Sequence, residues 1–196
     1  MLASHAALGY SPAMDDYFTL FGLPKSFRLN LAELEKCYFA LQRTAHPDRQ
    51  VGKSDAEKLA ATQHAMRIND GYDTLKNPLS RAEYLLMLEG IFVNSEADTE
   101  TPDHALLMEV MELREQLEEA AQDGPSLLAL IEDVKRALRE CSEALEEAFE
   151  AADFPYAAKQ TMRLQYLGKT LEEAHIFLYR FKAAHAEEHS HEHTHH

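Results

Sequence analysis

Wherever apolar side chains recur along this chain, they recur at helical spacing. Leu34, Tyr38 and Leu41 fall at i, i+4 and i+7, one stripe of a 3.6-residue period, with Glu33, Lys36 and Arg43 on the other side. Asn30 precedes this run and Glu33 follows three residues on, a capping-box arrangement. Pro47 stops the helix, since its ring removes a donor and clashes with the preceding turn. Ser54, with Glu57 at the same spacing, opens a second long helix. The pattern assigns its inner face to Leu59, Thr62, Met66, Asn69, Tyr72 and Leu75, and Asn77-Pro78 ends it. A further helix over Leu79–Leu88 turns Tyr84, Leu85 and Leu88 inward and closes at Gly90. Two long helices joined by a short proline-containing connection predict a small antiparallel hairpin.

The second half reads as three helices. The first runs from Pro102 to about Gln122, behind Thr101 as N-cap, and is stopped by Gly124-Pro125. The next runs from Ser126 to about Ala152, and the last from near Pro155 to about Ala184. Short connections between long amphipathic helices predict an antiparallel bundle. No segment shows the alternation of a half-buried strand, so the expected fold class is all-α, in two modules.

The first bundle helix carries two apolar stripes. Leu106, Val110, Leu113 and Leu117 fall at i, i+4, i+7 and i+11. Leu107 and Met111 form a second row, with Met108 beside them. One core needs one stripe, so one of the two is a candidate outer patch. Periodicity alone leaves open which one faces in.

Composition narrows the function. At 196 residues, 45% hydrophobic and 27% charged, the chain is globular and has room for one domain or two small ones. No apolar run is long enough for a bilayer span, and no membrane partner is expected. Met1 to Met14 carry no Lys or Arg, which argues against a secretory or mitochondrial leader. Cys37 and Cys141 lie far apart and form no CxxC, so both read as structural residues of a protein in the reducing cytoplasm. A net charge of −15 argues against generic nucleic-acid binding, which needs basic surface to neutralise phosphates.

The charge is uneven. Asp15–Leu88 holds 10 basic and 10 acidic side chains, whereas Asp103–Asp153 holds 4 basic and 15 acidic. The expected organisation is a flexible N-terminus (1–14), a first module (15–90), a linker (91–101), the bundle (102–184) and a tail (185–196). The tail, HAEEHSHEHTHH, has no core-forming pattern. Its His189, His191, His193, His195 and His196 would form at most a weak divalent-metal site, and the modules themselves show no metal motif.

His46-Pro47-Asp48 sits between the two hairpin helices. Pro47 stiffens the turn, Asp48 can accept from an arginine fork, and His46 offers a donor and an acceptor nitrogen. No nucleophile, base and oxyanion set accompanies them, so the loop reads as a contact device, and no enzyme activity or cofactor is expected. With Tyr17-Phe18-Thr19-Leu20 and Gly22-Leu23 before it, and Ile68 to Leu75, Asn77-Pro78 and Arg81 after it, the tripeptide resembles the J-domain of DnaJ-like co-chaperones. That resemblance implies docking on a DnaK-type ATPase and stimulation of its ATP hydrolysis. The matching contact residues are His46, Pro47 and Asp48, with Lys36, Arg43 and Arg49 as a basic patch thinner than the J-domain norm.

Three further segments are more specific: Asp16 to Pro24, Arg81 to Leu86, and Leu107 to Leu117. Together they resemble the HscB family of J-type co-chaperones in iron–sulfur cluster assembly. The resemblance implies a J-domain joined in an L shape to a C-terminal three-helix bundle, acting as a monomer. It implies an HscA-type ATPase as one partner and an IscU-type scaffold as the other. The matching scaffold-binding positions are Leu107, Met108, Met111, Glu112, Glu115 and Glu119, with Tyr166 where the family often has Phe. Two alternatives stand beside this: a general DnaJ-type co-chaperone for other clients, and a metal-binding protein acting through the tail. The first is weakened by the lack of a Gly/Phe-rich linker or cysteine repeat after the J-domain.

Overall fold

A computed structural model describes residues 16–45, 52–93 and 104–192, with side chains to residue 184. These residues form seven helices and, among them, no strand. The chain divides into two compact units, Met1–Tyr84 and Leu85–His196, the division falling within the fourth helix.

In the first unit, α1 (Tyr17–Phe21) is opened by Asp16, whose carboxylate accepts from the Thr19 N–H at 2.8 Å. Gly22 closes it in the left-handed region at φ 66°, where a side chain would be strained. Next come α2 (Leu31–Ala45), α3 (Asp55–Lys76) and α4 (Pro78–Leu88). Asn30 caps α2, its side-chain oxygen accepting from the N–H groups of Ala32 and Glu33. At Ser54 the predicted capping box is complete in both directions.

α2 and α3 run antiparallel. The Tyr38 ring stacks on Tyr72 at 4.1 Å between centroids, and its hydroxyl donates to the Asn69 side-chain oxygen at 3.0 Å. Gln42, one turn on, donates to the same oxygen. Leu34 is fully buried and Tyr38 and Leu41 half-buried, as the stripe predicts. The inner face of α3 differs from the expected one. Leu59, Thr62 and Met66 are exposed; Asn69 meets α2 at the rim, Tyr72 and Leu75 lie on the face as expected, and Ala61, Ala65, Ile68 and Gly71 complete it. At Gly71 the cause is the close approach of α1. A Cβ on Gly71 would lie 2.9 Å from a Tyr17 ring carbon and 3.0 Å from one of Phe21, so this contact needs small residues. On α4, Arg81 is buried. It donates to the Leu75 carbonyl at 2.6 Å and lies 4.9 Å over the Phe27 ring.

The second unit carries α5 (His104–Ala120), α6 (Gly124–Glu150) and α7 (Phe154–Glu192). Connections of three residues make successive helices antiparallel, so α5 and α7 run parallel. Two boundaries differ from the sequence reading. Gly124-Pro125 does not stop a helix but begins α6, because Asp123 takes the N-cap and accepts from the Ser126 N–H at 2.8 Å. Gly124 must be small here, since the Phe181 ring of α7 lies 2.5 Å from where its Cβ would sit. The α7 backbone continues past Ala184 to Glu192, into the histidine-rich segment. Leu127, Leu130, Ile131, Val134, Cys141, Leu145 and Ala148 form the buried stripe of α6, meeting Ala157, Thr161, Leu164, Leu167, Ala174 and Leu178 of α7. At ~25 cal/mol per Å² of apolar surface, each such Leu stabilises by about 1.5–3 kcal/mol, and this pair of helices is the unit's main core.

Candidate functional site

Two outward helix faces hold eight of the residues singled out from the sequence. On α2, Lys36 and Arg43 are exposed, with Phe39 between them at i+3, also exposed. They share a face because positions three, four and seven apart project together. His46, Pro47, Asp48 and Arg49 follow the end of α2 and lie outside the described residues.

On α5 the two stripes separate. Leu106 and Leu117 are 6% and 3% exposed, with Val110 and Leu113 half-buried between them, so this row faces the bundle. Leu107, Met108 and Met111 are 49%, 54% and 58% exposed and form the outer row. Glu112, Glu115 and Glu119 are exposed beside and beyond it. The result is an apolar centre with an acidic rim, and two of its three apolar members are flexible, polarisable methionines. Arg114 and Glu118 form an exposed ion pair at 3.4 Å, of the kind worth under ~1 kcal/mol.

Tyr166 sits on α7 and is half-buried. The Lys169 ammonium lies 5.9 Å from its ring centroid. One turn before it, Arg163 makes a contact that periodicity could not reveal. Its Nε donates to both Glu109 carboxylate oxygens at 2.9 Å, and Nη2 lies 2.8 Å from Oε1. This fork ties α7 to α5 across 54 residues of sequence. The hydrogen bonds to Glu109 push the Arg163 pKa further up, keeping the guanidinium charged. The only signal available in the sequence was an acidic and a basic residue on two predicted helices, which describes many pairs.

Cys141 lies beside this contact, fully buried, with its thiol 3.2 Å from the Gln160 carbonyl. Burial pushes its pKa up to about 11, so it stays a neutral thiol. Cys37 is half-buried on α2. Among the described residues, no group of three His, Cys, Asp or Glu side chains is placed to hold a metal ion. His189 and His191 lie on the α7 backbone beyond the described side chains, and His193, His195 and His196 lie outside the described residues. No described helix is long and apolar enough to cross a membrane.

These surfaces are suited to binding other proteins. The family model of the HSCB C-terminal oligomerisation domain matches residues 102–175. The co-chaperone protein HscB of Proteus mirabilis is 40% identical over 164 residues, covering 81% of this chain and 92% of that one. Two solved structures share the fold at a TM-score of 0.76. The chaperone HscB from Vibrio cholerae is 36% identical over 85% of this chain and 99% of its own. The human co-chaperone protein HscB is 35% identical over 85% of this chain and 83% of its own. The fold is thus an all-α J-domain with a C-terminal bundle, and the chain belongs to the HscB family of co-chaperones.

Proposed function

We propose that this co-chaperone links two proteins in the cytoplasm. Its J-domain docks on an HscA-type ATPase through His46, Pro47 and Asp48, with Lys36, Arg43 and Arg49 guiding the approach, and stimulates ATP hydrolysis there. Its C-terminal bundle binds an IscU-type iron–sulfur scaffold through Leu107, Met108, Met111, Glu112 and Glu115, with Glu119 and Tyr166 at the margin. The observation that carries this reading is the outer row of α5: three large apolar side chains left in water on a helix that already has a buried stripe. A surface helix has no folding reason to keep them there, and an acidic rim gives such a patch orientation and selectivity.

Binding to both partners in one complex makes the effects reciprocal. Scaffold that promotes engagement of the ATPase is itself held more tightly by the engaged complex. Titration of an apo IscU-type scaffold into the full chain by calorimetry tests the assignment. Saturable one-to-one binding is expected. No binding, with ATPase stimulation intact, would leave a J-protein with a different client.

A further inference from the structure

We propose that the Glu109–Arg163 pair is a rotational key for α5, holding Leu107, Met108 and Met111 outward as a docking face. The docking role rests on the scaffold reading above, while the rotation can be read independently.

Two apolar rows on one helix create an ambiguity. Leu106 and Val110 form the buried row, and Leu107 and Met111 lie one residue on. One residue is roughly 100° of helix rotation, so turning α5 by that amount exchanges the rows. In the second half of α5 the exchange is blocked, because Arg114 and Glu118 continue the outer row and would be buried in place of Leu113 and Leu117. In the first half, both rows are aliphatic or methionine, and burial alone separates them poorly. That half contains the docking residues, and Val110 there is only half-buried.

Glu109 stands in this first half. In the observed rotation its carboxylate meets the Arg163 fork with three contacts of 2.8–2.9 Å. Turning α5 would carry the carboxylate away and leave a half-buried guanidinium without its acidic partner, which is costly. A polar pair inside an interface can thus select one arrangement among several of similar apolar burial. It also sets the level of two docking elements. α5 and α7 run parallel, so Glu112 and Tyr166, each three residues beyond a clamp partner, come to the same height on the bundle.

The test measures rotation and binding separately on the full chain. Methionine oxidation by dilute hydrogen peroxide, followed by peptide mass spectrometry, reads exposure of Met111, with exposed Met66 of the J-domain as internal reference. Calorimetry with apo IscU-type scaffold reads docking. In Arg163→Met, Met111 oxidation is expected to slow about threefold relative to Met66, and scaffold affinity to fall about tenfold. Glu109→Gln should follow it, and Arg163→Lys, which keeps the charge but not the fork, should fall between. Ala129→Gly, at an exposed position of α6, lowers stability through helix propensity alone and should change neither readout. Unchanged oxidation and affinity in both Arg163→Met and Glu109→Gln overturn the proposal, as does an equal loss in Ala129→Gly. Absence of binding by the unmutated chain overturns the scaffold reading and the docking half of this inference, while the oxidation ratio still decides the rotation.

Discussion

The outward faces of α2 and α5 share a plan and differ in sign. Each sets apolar side chains in water between charged ones: Lys36, Phe39 and Arg43 on α2, and Leu107, Met108 and Met111 with Glu112 and Glu115 on α5. The α2 face has one apolar residue with Lys36 and Arg43 beside it and Glu35 diluting their charge, so it would suit charge-guided contact more than deep burial. The α5 face has three apolar residues and an acidic rim, so most of its binding energy should come from desolvation. Under the proposed function, the difference teaches how one small chain would serve two partners. A partner attracted by one face would meet the wrong charge and the wrong apolar area on the other.

The strongest way to break the comparison is at the loop after α2. His46→Gln is expected to reduce stimulation of an HscA-type ATPase by at least about 150-fold, since loss of a hot-spot contact at an interface can cost about 3 kcal/mol or more. Single-turnover ATP hydrolysis measures it, and scaffold affinity should be unchanged. Normal stimulation by this variant would remove the J-domain loop from the mechanism.

Nearly as large is the effect expected on α5. Met108→Ala with Met111→Ala should weaken scaffold binding by about 2–3 kcal/mol, roughly 30- to 150-fold. Both side chains are exposed, so circular dichroism and the melting temperature should hardly move. Basal ATPase stimulation should also survive. Equal loss of both activities would show that the faces do not divide the work.

Much of this was legible in the sequence because helices announce themselves by period. The α2 stripe on Leu34, the Ser54–Glu57 capping box and the double row on α5 could all be read directly. The failures share a cause. Periodicity weighs large apolar residues, but the inward positions of α3 include the small residues Ala61, Ala65 and Gly71, the last held small by the Tyr17 and Phe21 rings, while Leu59 and Met66 lie outside. The start of α6 was misplaced because Gly-Pro reads as a stop unless the preceding Asp123 is seen to cap. Which row of α5 faces inward, and the Glu109–Arg163 tie, depend on contacts between helices, and local spacing holds no record of those.

Charge reversal on α2 sharpens the contrast between guided encounter and buried contact. Lys36→Glu with Arg43→Glu should slow association with the ATPase several-fold at low salt, with little change in dissociation. The effect should fade as ionic strength rises toward and beyond the physiological range, where screening acts within about 8 Å. Stopped-flow association rates across a salt series measure it. A salt-independent defect would point to lost direct contacts instead.

The smallest expected effect compares the two units by their helix caps. Glu57 in the J-domain and Asp123 in the bundle both have lowered pKa values: Glu57 through hydrogen bonds from the Ser54 side chain and backbone, Asp123 through those from Ser126. A carboxylate whose folded pKa lies below its unfolded one stabilises fully above the unfolded value, and that stabilisation is lost as pH falls through the folded value. Both caps therefore act at neutral pH and fade in acid. Asp123→Ala should lower the melting temperature of the bundle slightly at pH 7, with the gap to the unmutated chain closing below about pH 4, the ordinary carboxylate range. Asp123→Asn keeps an accepting oxygen without a titrating group, so it should preserve the cap and flatten its pH dependence. Melting curves from pH 3 to pH 7 test this, and an Asn variant as pH-sensitive as the unmutated chain would place the acid response elsewhere. Because α6 lies against both α5 and α7, a measurable Asp123→Ala effect on scaffold affinity would further show that the docking face depends on how firmly its supporting helix is started.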